Sequence, residues 1–391
     1  MRGNEQRFIK EAFDANWVAP LGTNVNLFEN DLKTYLNDAV HVTALSSGTA
    51  AIHLGLLLLG IKEGDEVICQ SLTFTASANP ILYIKATPIF IDSESDTWNL
   101  CPIALEEAII DRIKRGKKPK AIITVHLYGN PYKVSAVRSI ADKYQIPILE
   151  DAAEALGSSY KGKKCGTFGD VSVLSFNGNK IITTSGGGAL VCHSAALKSR
   201  AIFLATQAKD SAIHYEHSEI GFNYRLSNIS ASIGRGQMEV LDEHVNLRRD
   251  MQAFYQKLFK NVAGVTVYNV PTEDYFSNHW LSVLNINPEE TDGIDCTTLR
   301  LALEEENIES RPIWKPLHLQ PLYQDYPYYG GTVAENLFAQ GLCLPSGSNT
   351  TEAEKERIQK VIEQVFKTKN KITIKGAVIH QSELVIAQNS R

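Results

Sequence analysis

Over the first two-thirds of the chain, short β-rich runs recur at residues 66–69, 87–91, 121–126, 146–150, 171–176 and 188–192. Several are separated by segments of helical periodicity, at 50–59, 102–115 and 131–144. This alternation constrains the fold more than any other feature. A parallel strand pair needs a long crossover, and a helix is what usually fills it, so the pattern predicts an α/β chain with a mostly parallel sheet covered on both faces. In such sheets ligands bind beyond the carboxyl ends of the strands, so the residues that follow these runs are where chemistry is expected.

The pattern changes after about residue 235. Residues 237–259 read as one long helix, followed by β-rich runs at 265–268 and 280–286 and by helices at 297–306 and 352–368. This suggests a large domain over 1–236, a linking helix over 237–260 and a small C-terminal α/β domain over 261–368. The tail, 369–391, contains the alternating stretches ITIKGAVI and ELVIA, which suit a strand or hairpin of unreadable role. A formal net charge of −5 gives no sign of a nucleic-acid partner or an anionic membrane surface. The longest strongly apolar run, 52–61, is too short to span a bilayer, and the first ten residues do not form a signal peptide. Six cysteines lie scattered without a CxxC or CxxH spacing, which predicts neither a zinc site nor a disulfide framework. A reduced, cytoplasmic protein without a bound metal is expected.

Three short segments carry the chemistry. The first is SSGTA (46–50), where Ser47, Gly48 and Thr49 open a helical segment. Free backbone N–H groups, hydroxyls and the helix dipole there favour an anion such as phosphate, although many such turns are plain helix caps. The second is ILEDAAE (148–154), an apolar strand that ends in acids, among them Asp151 and Glu154. A carboxylate at a strand end points into the ligand crevice. An anion there could hold a proton on a pyridine nitrogen, though a solvated acidic loop has the same composition. The third is SFNGNK (175–180), in which Lys180 follows an apolar strand in a tight polar turn. A lysine so placed can condense with an aldehyde, and Ser175 can donate to the same phosphate, while most lysines are simply surface residues. The GGG at 186–188 is not a GxGxxG and gives no dinucleotide signal.

Taken in order, these segments follow the layout of fold-type I pyridoxal-phosphate enzymes. The runs EDAAEALGS, GTFGDVSVLSFNGNK, TTSGGGAL and GFNYRLSNISASIG closely resemble the DegT-type sugar aminotransferases, from about residue 3 to residue 366. RPIWKPLHLQPLY (311–323) looks like the substrate-side loop of a branch that aminates C4 of UDP-linked 2-acetamido-4-keto-6-deoxy sugars, as in bacillosamine-type pathways.

The resemblance implies pyridoxal phosphate as cofactor and Lys180 as the residue that binds it covalently and shuttles a proton. Asp151 would pair with the ring nitrogen, and Glu154 would lie near the phenolic oxygen, where many relatives carry Gln or His. Phe74 would stack on the ring. Ser47, Gly48, Thr49 and Ser175 would hold the phosphate. Asn223 would reach the phosphate of a neighbouring subunit, giving a homodimer with shared sites. Trp314, His318 and Arg225 would face the sugar nucleotide. The implied reaction is ping-pong, with L-glutamate as amino donor and a nucleotide-linked keto-sugar as acceptor. A GDP- or dTDP-linked sugar and amination at C3 stay open. So does a non-catalytic regulator of the same fold, though a binding module has no use for Lys180. A sugar dehydratase of this fold would carry histidine in place of Lys180. Relatives also carry several residues ahead of the segment matching 3–10, which points to a trimmed start or a different substrate mouth.

Overall fold

The computed structural model describes residues 1–37 and 39–367; the strand or hairpin expected in 369–391 lies outside the described residues. Its centre is an eight-stranded sheet. In spatial order the strands are His41–Leu45, Gly188–Cys192, Val171–Ser175, Ile148–Asp151, Ala121–Val125, Glu66–Gln70, Thr87–Ile91 and Tyr328–Tyr329. From Val171–Ser175 to Tyr328–Tyr329 every neighbouring pair is parallel. Gly188–Cys192 runs antiparallel to both of its neighbours. The chain is thus α/β with a mostly parallel sheet, as the alternation predicts.

Why these runs are continuously apolar is visible in the core. Val67, Cys69, Ile123, Leu149 and Val171 pack on one face with Leu54 and Leu56 of the helix Gly48–Leu58. Ile68, Ile89, Ile122 and Ile148 point to the other face, against Leu105 and Ile109 of Pro102–Lys114 and Val137 and Ala141 of Val134–Tyr144. Successive side chains alternate across a strand, and both faces are covered, so neither parity can be polar until the strand ends.

The chain divides into two compact units. The larger comprises Met1–Arg249, Asn269–Trp280 and Trp314–Asn336; the smaller takes Asp250–Tyr268, Leu281–Ile313 and the chain from Leu337. Where the sequence suggests one small domain over 261–368, the chain returns to the large unit twice. It does so because Tyr275–Phe276 pairs with Ser159–Tyr160 and Tyr328–Tyr329 extends the central sheet. The helix expected over 237–259 is two helices, Asn228–Met238 and Leu241–Phe259, and the division falls inside the second. The smaller unit has its own antiparallel sheet of Val265–Val267, Ser282–Ile286, Gly341–Leu344 and Arg311–Pro312. Leu284 and Ile286 of that sheet pack with Leu299, Leu303, Ile358 and Ile362.

Candidate active site

Asp151 is the last residue of its strand and is 5% exposed. Its parity places it on the side of the sheet covered by the helix Gly48–Leu58, the side of Leu149. The turn Thr75–Ser77, which follows the strand Glu66–Gln70, brings Ser77 Oγ to donate to Asp151 Oδ2 at 2.7 Å. The N–H of Ala153 donates to Oδ1 at 3.1 Å. Burial raises the carboxyl above its ordinary range, while Ser77, the Ala153 N–H and the charge of Lys180 pull it back only in part.

Lys180 closes a turn after Val171–Ser175, its N–H donating to Asn177 O at 3.0 Å. Its Nζ donates to Glu154 Oε1 at 3.1 Å, and the two side chains are 12% and 5% exposed. The same Nζ lies 4.1 Å from the ring centroid of Trp280, a cation–π contact that shields one side of the amine. Glu154 is fixed on its other oxygen by the N–H of Tyr128, at 2.8 Å. Tyr128 adopts φ 55°, uncommon for a bulky residue, and this aims its N–H at the carboxylate. Asn278 donates to the carbonyls of Glu154 and Leu156 at 2.8 Å each and accepts from Trp280 N at 2.9 Å, so one side chain fixes both neighbours of the lysine. Burial raises the Glu154 carboxyl; Lys180 and the Tyr128 N–H oppose that.

The third wall is the start of the helix Gly48–Leu58. Ser47 is its N-cap, accepting from Ala50 N at 3.0 Å. The first-turn N–H groups of Gly48 and Thr49 have no acceptor within the helix. A Cβ on Gly48 would stand 3.0 Å from Ser175 Cβ and 3.3 Å from its Oγ, so the bare glycine is what lets the helix end meet the end of Val171–Ser175. The Ser175 hydroxyl hydrogen-bonds to no other described residue. Hydroxyl, free N–H groups and the positive end of the helix dipole together form an anion cradle. Phe74 is 53% exposed, with its ring centroid 5.6 Å from Trp314. Trp314 lies in turn 4.9 Å from Tyr128, whose hydroxyl accepts from Trp314 N at 3.1 Å.

This arrangement fits pyridoxal phosphate: a lysine amine, a buried carboxylate, an anion cradle and an exposed aromatic ring. The DegT/DnrJ/EryC1/StrS aminotransferase family model matches residues 1–366. The chain belongs to that family. It is 51% identical over 372 residues, 94% of each chain, to EpsN of Bacillus subtilis (strain 168), assigned by name as a pyridoxal phosphate-dependent aminotransferase. It is 38% identical to the GDP-perosamine synthase of Escherichia coli O157:H7, over 88% of this chain and 91% of that protein. A crystal structure of a DegT DnrJ EryC1 StrS aminotransferase from Brucella abortus superposes with a TM-score of 0.85 at 30% identity, covering 93% of this chain and 95% of that one. The chain is an aminotransferase of pyridoxal-phosphate fold type I.

Within this aminotransferase, Ser47, Gly48, Thr49 and Ser175 form one cluster and Asp151, Glu154 and Lys180 another. Two expected sugar contacts have other partners. Arg225 Nη1 donates to Glu29 Oε1 at 2.7 Å and to Ala44 O at 3.0 Å, a buried ion pair. His318 is held on both ring nitrogens, by Ser71 Oγ at 2.7 Å and Glu335 Oε1 at 3.3 Å, with its ring stacked 3.8 Å from Tyr328. Arg225 is engaged through one guanidinium nitrogen and His318 through both ring nitrogens. Asn223 is exposed, and its side chain hydrogen-bonds to none of the described residues. Tyr128, Trp280, Asn278 and Ser77 were not singled out from the sequence. Tyr128 sits just beyond the end of Ala121–Val125, a signal that could have found it; Ser77, Trp280 and Asn278 had none. Among the described residues no group of three His, Cys, Asp or Glu is placed to hold a metal ion, and no helix is long and apolar enough to cross a membrane.

Proposed function

We propose that this chain transfers the amino group of L-glutamate to the 4-keto carbon of a UDP-linked 2-acetamido-4-keto-6-deoxy sugar, releasing 2-oxoglutarate. The Lys180–Glu154 pair at 3.1 Å, with Asp151 buried nearby, carries the reading. When bound, pyridoxal phosphate supplies an aldehyde carbon open to amines and a protonated ring that draws electrons from it. Lys180 Nζ is the amine that would hold it and then carry a proton between cofactor and substrate carbons. Glu154 accepts a hydrogen bond from Nζ and fixes where that nitrogen stands. Asp151 would keep the ring nitrogen protonated. The N–H groups of Gly48 and Thr49, with the hydroxyls of Ser47 and Ser175, would hold the phosphate. Phe74 would cover a ring face, and Trp314, Tyr128 and Trp280 would exclude water from the amine. Asn223, exposed and unengaged, suits a contact with the site of a second copy, so the working form would be a homodimer.

The test is to load the protein with pyridoxal phosphate, add L-glutamate, and follow cofactor absorbance and 2-oxoglutarate. The UDP-linked keto-sugar is then added. The expected result is loss of the cofactor band with one equivalent of 2-oxoglutarate, and its return with the sugar. Relatives named GDP-perosamine synthase favour a second reading, a GDP-linked 4-keto-6-deoxyhexose as acceptor. Return of the band with that sugar alone moves the assignment to it. Return with neither leaves the aminotransferase and removes the sugar assignment.

A further inference from the structure

Asp151 has two hydrogen-bond donors among the described residues, Ser77 Oγ and Ala153 N. The Ala153 N–H belongs to the backbone two residues on and would serve any side-chain oxygen at position 151. Ser77 is different. It comes from another strand's loop, is buried, and meets Oδ2 at 2.7 Å, the length of a charge-assisted O–H···O⁻ bond. A hydroxyl has one proton to give. Since that of Ser77 goes to Asp151, the 2.9 Å contact between Ser77 Oγ and Thr73 Oγ1 is one in which Thr73 donates. Thr73 is buried as well. The result is a directional relay, Thr73 to Ser77 to Asp151, in which each bond strengthens the next.

The relay is mechanically tied to the ring-stacking residue. Ser77 N donates to Phe74 O at 3.1 Å, and the turn Thr75–Ser77 begins directly after Phe74. Thr75 Oγ1 is 2.9 Å from the hydroxyl of the buried Tyr323, which pins the turn from outside. One short turn thus sets the position of an exposed aromatic ring and of the acid's outer oxygen.

We propose that Ser77, backed by Thr73, is the positioning residue that fixes the Asp151 carboxylate against the ring nitrogen of the cofactor. The proposal rests on the pyridoxal-phosphate reading and needs no sugar assignment. Without the Ser77 hydroxyl, Oδ2 is a buried acceptor with no donor, the Asp151 carboxylate is harder to keep ionised, and its hold on a pyridinium N–H weakens.

The experiment measures equilibrium binding of pyridoxal phosphate, and of its carbocyclic analogue with C–H in place of the ring nitrogen, to the full chain. Ser77→Ala is expected to weaken pyridoxal phosphate about tenfold or more, as for a lost hydrogen bond to a charged group, while binding of the analogue is not weakened. Ser77→Thr, which keeps the hydroxyl, restores wild-type binding of both, and Thr73→Val weakens pyridoxal phosphate about threefold, as for a neutral hydrogen bond. Equal loss of both ligands in Ser77→Ala makes the residue merely structural and overturns the proposal. Unchanged pyridoxal-phosphate binding overturns it too, as does a wild-type protein that binds cofactor and analogue equally. A protein that passes these tests but transfers no amine to either keto-sugar loses the sugar assignment alone.

Discussion

Glu150 and Asp151 are adjacent in the chain, both buried, both carboxylates, and held in opposite ways. Glu150 shares the parity of Ile148 and points to the face where His126 Nε2 lies 2.7 Å away. It accepts further from the N–H groups of Gly166, Phe168 and Gly169, at 2.6, 2.7 and 2.9 Å, and from Ser172 Oγ at 2.7 Å. Burial pushes the Glu150 carboxyl up, but this ring of donors wins and holds it below the usual range. Asp151 turns to the other face and has two donors, so there burial wins. A saturated carboxylate is a fastening. An under-saturated one still has bonding capacity to offer a ligand, and the difference comes from a single step of strand parity.

The sharpest way to probe the under-saturated side is to remove the amine it serves. On the proposed roles of Lys180 as nucleophile and proton carrier, Lys180→Ala should slow 2-oxoglutarate formation from glutamate about 10⁴-fold in single-turnover assays. Next come the two acids themselves. Glu150→Gln should destabilise the cofactor-free protein by about 3 kcal/mol, because donors built for an anion are left facing an amide. Asp151→Asn should leave that stability unchanged or raised at neutral pH, since burial opposes its charge, yet weaken pyridoxal-phosphate binding. Urea midpoints and cofactor titration of both variants check this pair. An Asp151→Asn protein as unstable as Glu150→Gln would erase the distinction.

The most gradual effect concerns His279, in the segment that brings Trp280 over Lys180. Burial, with Arg249 nearby, pushes its pKa down to about 3. A folded-state pKa below the unfolded value of about 6.5 means its share of stability is present above pH 6.5 and lost as pH falls toward 3. The loss from this one proton is at most about 1.4 kcal/mol per pH unit. His279→Asn, which tolerates the φ of 45° at that position, should flatten this slope in urea midpoints taken between pH 7 and 4.

Much of this was legible in the sequence because strand ends are legible. Ser175, Lys180, Asp151 and Glu154 follow apolar runs, and the sheet brings them to one edge. The cap at Ser47 could be read from SSGTA, because a Ser-Gly-Thr turn before an apolar helix has few other uses. What escaped depends on backbone angles and on distant segments. That Tyr128 aims its N–H at Glu154 follows from a left-handed residue within a short turn, which its sequence does not announce. Asn278 and Trp280 arrive from a stretch that reads as part of a separate small domain. Arg225 and His318 look like ligand groups in sequence, and their bonds to Glu29, Ser71 and Glu335 are visible only in the structure.

The antiparallel strand Gly188–Cys192 has a consequence for how the chain is made. Among the described strands of the central sheet, His41–Leu45 pairs with that one and stands at the edge, with an isolated bridge from Leu45 to Arg225. The ribosome therefore releases the first strand, and the helix with Ala51, Ile52, Leu54 and Leu56, long before the partner that completes their side of the sheet exists. At ordinary elongation speeds the interval is roughly 7–30 s, in which the strand His41–Leu45 waits without its partner. The anion cradle is thus a late product of synthesis, because Ser175 and the strand Gly188–Cys192, which abut Gly48 and Ser47, leave the ribosome long after the helix end that they complete.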